Sequence, residues 1–296
     1  MPLLLPYSLS PMASMTHSSP LLIFLYSLFS LGFSSFWCCA TLASLTIDSL
    51  RASLEQQEDF IVISLIERAR YPYNSIAYHP SILGNHNCSF LELFVRETEA
   101  LEARFGRYQN PEELPFFPVY AQPRLAPPHK FPNFLYPPAA STNVSKIIWD
   151  MYLNDLLPLF TTKADDGNYQ QIAASDLICL QALSKRIHYG RYVAEIKFRD
   201  SPHDYIPAIK AKDRETLLTL LTFTSVEEAV VKRVFKKAEI FGQIVNLGNN
   251  NVTGDKSKGN EIKYKVDPYV ASKLYQEWVI PFTKQVEVDY LLNRLN

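Results

Sequence analysis

The chain has 296 residues, 47% hydrophobic and 20% charged, with a formal net charge of −1. That is length enough for one large domain or two small ones around a real core, and near-neutrality gives no argument for nucleic acid or an acidic surface as partner. Cysteine is sparse and lacks metal spacing, and there is no Gly-rich phosphate loop, His-Glu-x-x-His or Gly-x-Ser-x-Gly; a disulfide framework, a zinc site and the common nucleophile motifs are therefore not expected.

Residues 1–43 differ from the rest. No Lys or Arg precedes Arg51 and no acid precedes Asp48. Leu21 to Leu31 is apolar apart from Ser27 and Ser30, and Ala40 and Ala43 follow as cleavage positions, as in a secretory signal peptide. The missing basic residue is wrong for a signal n-region and for an organellar transit peptide. Leu21 to Ala43 is also long enough for a membrane anchor, although its serines argue against one. Sequons at Asn87, Asn143 and Asn251 are compatible with secretion. The expected organisation is a targeting-like segment, 1–43, ahead of one domain, 44–296.

Thr46 to Arg70 reads as a long helix, with Ile47, Leu50, Leu54, Ile61, Leu65 and Ile66 near helical period and Thr46 or Asp48 as cap. Arg51 falls on its apolar side, where a guanidinium needs an anionic partner, either a carboxylate of the protein or something bound. Ser89 to Arg107 is a second helix, with Phe90, Leu93, Phe94 and Leu101 inward. Asn110 to Pro138 carries proline every few residues, which forbids a helix interior or a central strand. Its interleaved Phe116, Phe117, Phe131, Phe134 and Tyr136 make it a packed extended excursion strapped over the helices. Helix resumes over Ser145–Phe160, and 172–198 is one long helix or two joined end to end. Shorter helices follow over 203–212, 213–221 and 226–242. Asn246 to Glu261 is a polar loop, and Pro268 opens a last helix with a kink expected at Pro281. No stretch has a convincing period of two, so the expected fold is all-α with one core.

Arg186 and Lys197 lie about three turns apart on one helical stripe, roughly 16 Å along the axis. Gly190 and Val193 lie between them. Two cations facing a shallow gap are either an ordinary solvated face or a seat for a compact polyanion. Thr283 and Glu287 stack on one face of the last helix. A carboxyl on an apolar face tends to keep its proton, and a neutral acid can donate a hydrogen bond. The competing reading is a salt bridge to an arginine. Glu227 reads as a first-turn acid favoured by the helix dipole. His188 points away from Lys197 and reads as a core histidine.

Four blocks resemble the eukaryotic, all-helical chorismate mutases: Arg-Ile-His-Tyr-Gly-Arg-Tyr-Val-Ala-Glu-Ile-Lys-Phe (186–198), Asp-Asp-Gly-Asn-Tyr (165–169), Asn-Pro-Glu-Glu-Leu-Pro-Phe-Phe-Pro (110–118) and Pro-Phe-Thr-Lys-Gln-Val-Glu-Val-Asp-Tyr-Leu-Leu (281–292). The resemblance runs from about residue 44 to the C-terminus. Phe94-Val-Arg-Glu-Thr-Glu and Phe198-Arg-Asp are similar to the plant isoform usually described as cytosolic and feedback-insensitive.

The resemblance implies rearrangement of chorismate to prephenate, a Claisen reaction on the branch toward phenylalanine and tyrosine, needing no cofactor or metal. It also implies a homodimer with each site built inside one subunit. By position, Arg51 and Arg186 would grip the two carboxylates of chorismate, for which the planar fork of arginine is suited. Lys197 and a protonated Glu287 would stabilise the ether oxygen as the C–O bond breaks. Glu227 would bind the ring hydroxyl, and Thr283 would line the pocket. Phe223 stands where the fungal members have asparagine.

The effector site of feedback-controlled members maps to Arg107, Asn168, Gln170 and Gln171. The last two replace Gly-Ser and would crowd an amino acid, so the response to tryptophan and tyrosine is expected to be weak or absent. A non-catalytic helical interaction protein that kept the fold is the rival reading. The resemblance implies the cytosol, the apolar N-terminus implies the secretory pathway, and no stable membrane association is expected of the mature domain.

Overall fold

The computed structural model describes residues 46–80, 87–117, 124–244 and 263–296. Residues 1–43, the sequon at Asn251 and the whole of the 246–261 loop lie outside them. Among the described residues the secondary structure is helical, and the one extended pairing is an isolated bridge between Gln243 and Tyr264.

Helix α1 (Ile47–Arg68) starts on a Thr46–Ser49 capping box. Its buried side is Leu50, Glu58, Ile61, Val62, Leu65 and Ile66, which packs against α5 (Tyr169–His188). Ile47 is exposed rather than inward. Helix α2 (Phe90–Arg104), capped by Ser89, also leans on α5. It does so through Leu91 and Val95, while Leu101 faces outward. Phe90 and Phe94 pack against the core as expected, so the inward face is centred about one residue round the helix, away from Leu101.

Helix α3 (Ser145–Met151) passes through a π turn (Tyr152–Leu156) into α4 (Leu157–Phe160). Ile148, Met151, Tyr152 and Leu156 are all buried, as their spacing predicts. The expected long element at 172–198 is two helices, α5 and α6 (Gly190–Asp200), meeting at Tyr189. Tyr189 keeps right-handed helical torsions (φ −62°, ψ −16°), so the join bends without breaking. Then come α7 (Pro202–Ala211), α8 (Arg214–Leu221) and α9 (Thr224–Gly242).

The final helix is α10 (Pro268–Leu274), a π turn (Tyr275–Val279) and α11 (Ile280–Leu292). The disturbance expected at Pro281 is this π turn. Proline has no N–H to give the preceding turn and its ring presses on it, so the helix widens just upstream. Helix α11 crosses α5, α6 and α8, and α9 packs on α1 and α10.

The proline-rich excursion is pinned where polar groups can reach it. Buried Glu99 accepts from the backbone N–H groups of Phe116 and Phe117 at 2.9 and 3.0 Å. Buried Arg191 donates to the carbonyls of His188, Ala140 and Pro111. The Tyr290 hydroxyl accepts from Tyr136 N and donates to the buried Glu195 carboxylate. These bonds tie a segment without regular structure to α2, α6 and α11, as buried backbone polar groups require.

Candidate active site

Helix α5 ends at the point where α11 passes beneath α6. The end of α5 therefore presents Arg186, α6 presents Lys197, and α11 presents Thr283 and Glu287 to one space. Gly190 allows the approach: a Cβ there would meet the Thr283 carbonyl oxygen at 2.8 Å.

Lys197 Nζ lies 2.9 Å from Glu287 Oε2, 3.4 Å from the Leu221 carbonyl and 5.3 Å from the centroid of the Phe223 ring. Glu287 is buried, and burial pushes its carboxyl above the ordinary range. Lys197 and Arg186 pull it back only in part, and Glu227 adds to the rise. Thr283 donates to the Val279 carbonyl at 2.6 Å.

Arg186 is 6% exposed, yet its hydrogen bond among the described residues is a long 3.4 Å contact to Thr283 Oγ1, and its guanidinium lies 5.8 Å from the Tyr275 ring centroid. Among the described residues its Nε and the Tyr275 hydroxyl, both buried, have no hydrogen-bond partner of good geometry. Among the described residues Arg186 forms no salt bridge. A buried guanidinium left in that state is costly unless an anion arrives.

The other predicted residues are placed differently. Glu227, at the start of α9, accepts from Lys284 Nζ at 3.1 Å, and Lys284 also reaches Thr222 Oγ1 at 3.5 Å. Arg51 is not brought to the group: it is exposed and pairs with Asp48 one turn back at 3.2 Å. At this end of α1 the inward position is Leu50, so the Ile47–Arg51 stripe looks out.

Arg107 is held by Glu102 at 2.6 Å, by Gln181 at 2.7 Å and by Glu113 at 3.3 Å. Gln181 lies about 16 Å along α5 from Gln170. Within one chain Arg107 is thus remote from Asn168, which bonds Asp166, and from exposed Gln170 and Gln171. His188 is a core residue. Its Nε2 accepts from Val144 N, its Nδ1 faces the Ser184 carbonyl at 2.8 Å, and burial pushes its pKa down to about 3.

Sequence reasoning missed Lys284 and Tyr275 as neighbours of this space. Lys284 follows Thr283 directly, so its adjacency was a usable signal. Tyr275 enters through the π turn, which no spacing rule foresees.

The pocket thus combines an unpaired buried guanidinium with a buried acid–ammonium pair, a set able to hold an anion and steady a negatively charged oxygen. The chorismate mutase type II family profile matches residues 168–288, which span α5 through most of α11. Chorismate mutase 2 of Arabidopsis thaliana is 57% identical over 254 residues, 85% of this chain and 94% of that protein. The chain belongs to the chorismate mutase family.

The cytosolic chorismate mutase 2 of Zea mays is 50% identical over 252 residues, covering 85% of this chain and 97% of its own. A crystal structure of AtCM1 with phenylalanine in its allosteric site superposes with a TM-score of 0.75 at 44% identity, covering 86% of this chain and 98% of that one. The all-α expectation is met, and chorismate mutase chemistry is an isomerisation. For this mutase the non-catalytic reading finds no support.

Proposed function

We propose that the pocket between α5, α6 and α11 rearranges chorismate to prephenate, with Arg186, Lys197 and Glu287 in direct contact with the substrate. The observation that carries this is the buried Arg186, without a carboxylate partner among the described residues, beside the Lys197–Glu287 pair. Arg186 takes one substrate carboxylate and gains the anion it lacks. Lys197 donates to the ether oxygen where charge gathers as the C–O bond lengthens. Protonated Glu287 donates to the same oxygen. Each such donor is worth about 3 kcal/mol of barrier when well placed. Holding chorismate compact, with its reacting carbons near contact, supplies the rest as orientation. Thr283 lines the floor, and Glu227 accepts from the ring hydroxyl.

Arg51 supplies the second guanidinium in this reading, by exchanging Asp48 for the other carboxylate. Its present pair is exposed and within one turn, the kind that holds an arginine only weakly. Lys284 is the neighbouring cation at the mouth. The mutase works without a cofactor, as a homodimer with one site per subunit. Its place is the cytosol, supported by likeness to a relative named cytosolic. No described helix is long and apolar enough to cross a membrane. The effector positions are degenerate: Arg107 is already committed to two carboxylates, and Gln170 and Gln171 replace smaller residues.

The test is loss of chorismate absorbance on mixing with purified protein. Turnover is expected, nearly abolished in Arg186→Ala. Lys197→Ala should lower kcat more than it changes KM, and Arg51→Ala should raise KM chiefly. An inert wild-type protein, or an undiminished Lys197→Ala, refutes the assignment.

A further inference from the structure

The turn joining α8 to α9 touches both lysines of the pocket. The Leu221 carbonyl accepts from Lys197, Thr222 Oγ1 accepts from Lys284, and Glu227 pairs with Lys284. Between these sits Phe223. It is a large apolar side chain, 52% exposed, and it does not belong to the core. Its defined neighbour is an ion: the Lys197 ammonium lies 5.3 Å from the ring centroid. Its backbone is fixed, because its carbonyl accepts from Val226 N and Glu227 N at 2.9 and 3.0 Å. The ring is therefore held over the ammonium by the first turn of α9.

We propose that Phe223 is a positioning residue for the rearrangement: its ring face holds the Lys197 ammonium in register with Glu287 and with the reacting oxygen. An ammonium has three protons. One goes to Glu287 at 2.9 Å and a second makes only a long 3.4 Å contact with Leu221. On a four-carbon stem such a group swings readily. Attraction to the electron-rich ring face confines the swing without using a proton, because a ring is not a lone-pair acceptor. One N–H stays available for the substrate. The ring also covers part of the ammonium from water, which strengthens whatever electrostatic contact the remaining N–H makes. An amide at this position would instead take up an ammonium proton or bond the substrate itself. This inference rests on the role proposed for Lys197.

The experiment compares Phe223→Leu, which keeps apolar cover without a π face, with Phe223→Tyr, which keeps the face. Both are made in the parent and in Lys197→Ala, with thermal melts as the folding control. The readouts are kcat and KM for chorismate, and affinity for a bicyclic ether dicarboxylate shaped like the transition state. Phe223→Leu should lose about tenfold in kcat with KM nearly constant, and Phe223→Tyr should stay within about twofold of the parent. The loss of analogue affinity in Phe223→Leu should vanish in the Lys197→Ala background, since the ring acts only through the ammonium.

Parental turnover in Phe223→Leu, or an equal loss with and without Lys197, overturns the proposal. If Lys197→Ala is crippled while Phe223→Leu is not, the role of Phe223 alone falls. If Lys197→Ala turns over like the parent, the reading of Lys197 falls and the role of Phe223 with it.

Discussion

Gly190 is the point where a single carbon should uncouple stability from activity. A Cβ there would lie 2.8 Å from the Thr283 carbonyl oxygen, 3.1 Å from Thr283 Cγ2 and 3.4 Å from Glu287 Cγ. Comfortable contacts begin near 3.5 Å, so in Gly190→Ala helix α11 must retreat by roughly half an ångström. The cost of such overpacking is about 1–3 kcal/mol. Alanine returns about 1 kcal/mol of helix propensity, because Gly190 already has helical torsions. The net destabilisation is about 0–2 kcal/mol, a fall in Tm of a few degrees. Activity should suffer more. The atoms that must move belong to Thr283 and Glu287 themselves, and Glu287 is held 2.9 Å from Lys197. If a misplacement of about 1 Å costs on the order of 100-fold, half of that costs about tenfold in kcat. Circular-dichroism melts and steady-state kinetics on the same preparation separate the two effects. A variant with full kcat, whatever its Tm, would refute the idea that close approach of α6 and α11 sets the catalytic geometry.

In its proposed role Glu287 donates only while protonated, and burial raises its pKa. Activity should therefore be present below that pKa and fall as pH rises through it; Glu287→Gln should keep much of the rate and remove the alkaline fall, and a Gln variant dead at every pH would exclude the protonated-acid role. Arg186→Lys should remain far below wild type in kcat/KM, because an ammonium does not replace a planar fork at a carboxylate; parental kcat/KM in that variant would remove the bidentate clamp. Tryptophan and tyrosine should change the steady-state rate little, and a several-fold activation by tryptophan would show that Gln170 and Gln171 leave the effector site intact.

The helices were legible where one face is apolar and the caps are strong. Thr46, Ser89, Asp213 and Asp267 each accept a backbone N–H at a helix start. The phase was less legible where neighbouring positions are both hydrophobic. In α2, Leu91 and Val95 are inward instead of Leu101, and in α1 the exposure of Ile47 turned Arg51 outward as well. Sequence periodicity gives a direction only to within about one residue, 100° of helix, and that is enough to move a long cation from a pocket to solvent. Lys197 and Glu287 meet across a separation of 90 residues. Their meeting depends on the crossing of α6 and α11, which the spacing within either helix does not contain; the family resemblance supplied it.

Three buried arginines show what the structure adds. In sequence, Arg68, Arg186 and Arg191 are all cations in amphipathic helices. In the folded chain Arg68 meets Asp176 at 2.6 Å, the carbonyls of Tyr71 and Pro72, and the Tyr78 hydroxyl. Arg191 is satisfied by three carbonyls. Both are structural, because every direction of the guanidinium fork has a protein acceptor. Arg186 has one long contact and an orphaned Nε. Burial costs all three the same kind of desolvation, and of the three Arg186 is the least compensated by the described residues. A charge kept out of water without an internal partner persists when the partner comes from outside. On that ground we propose Arg186, rather than the buried Arg68 or Arg191, as the anion's seat.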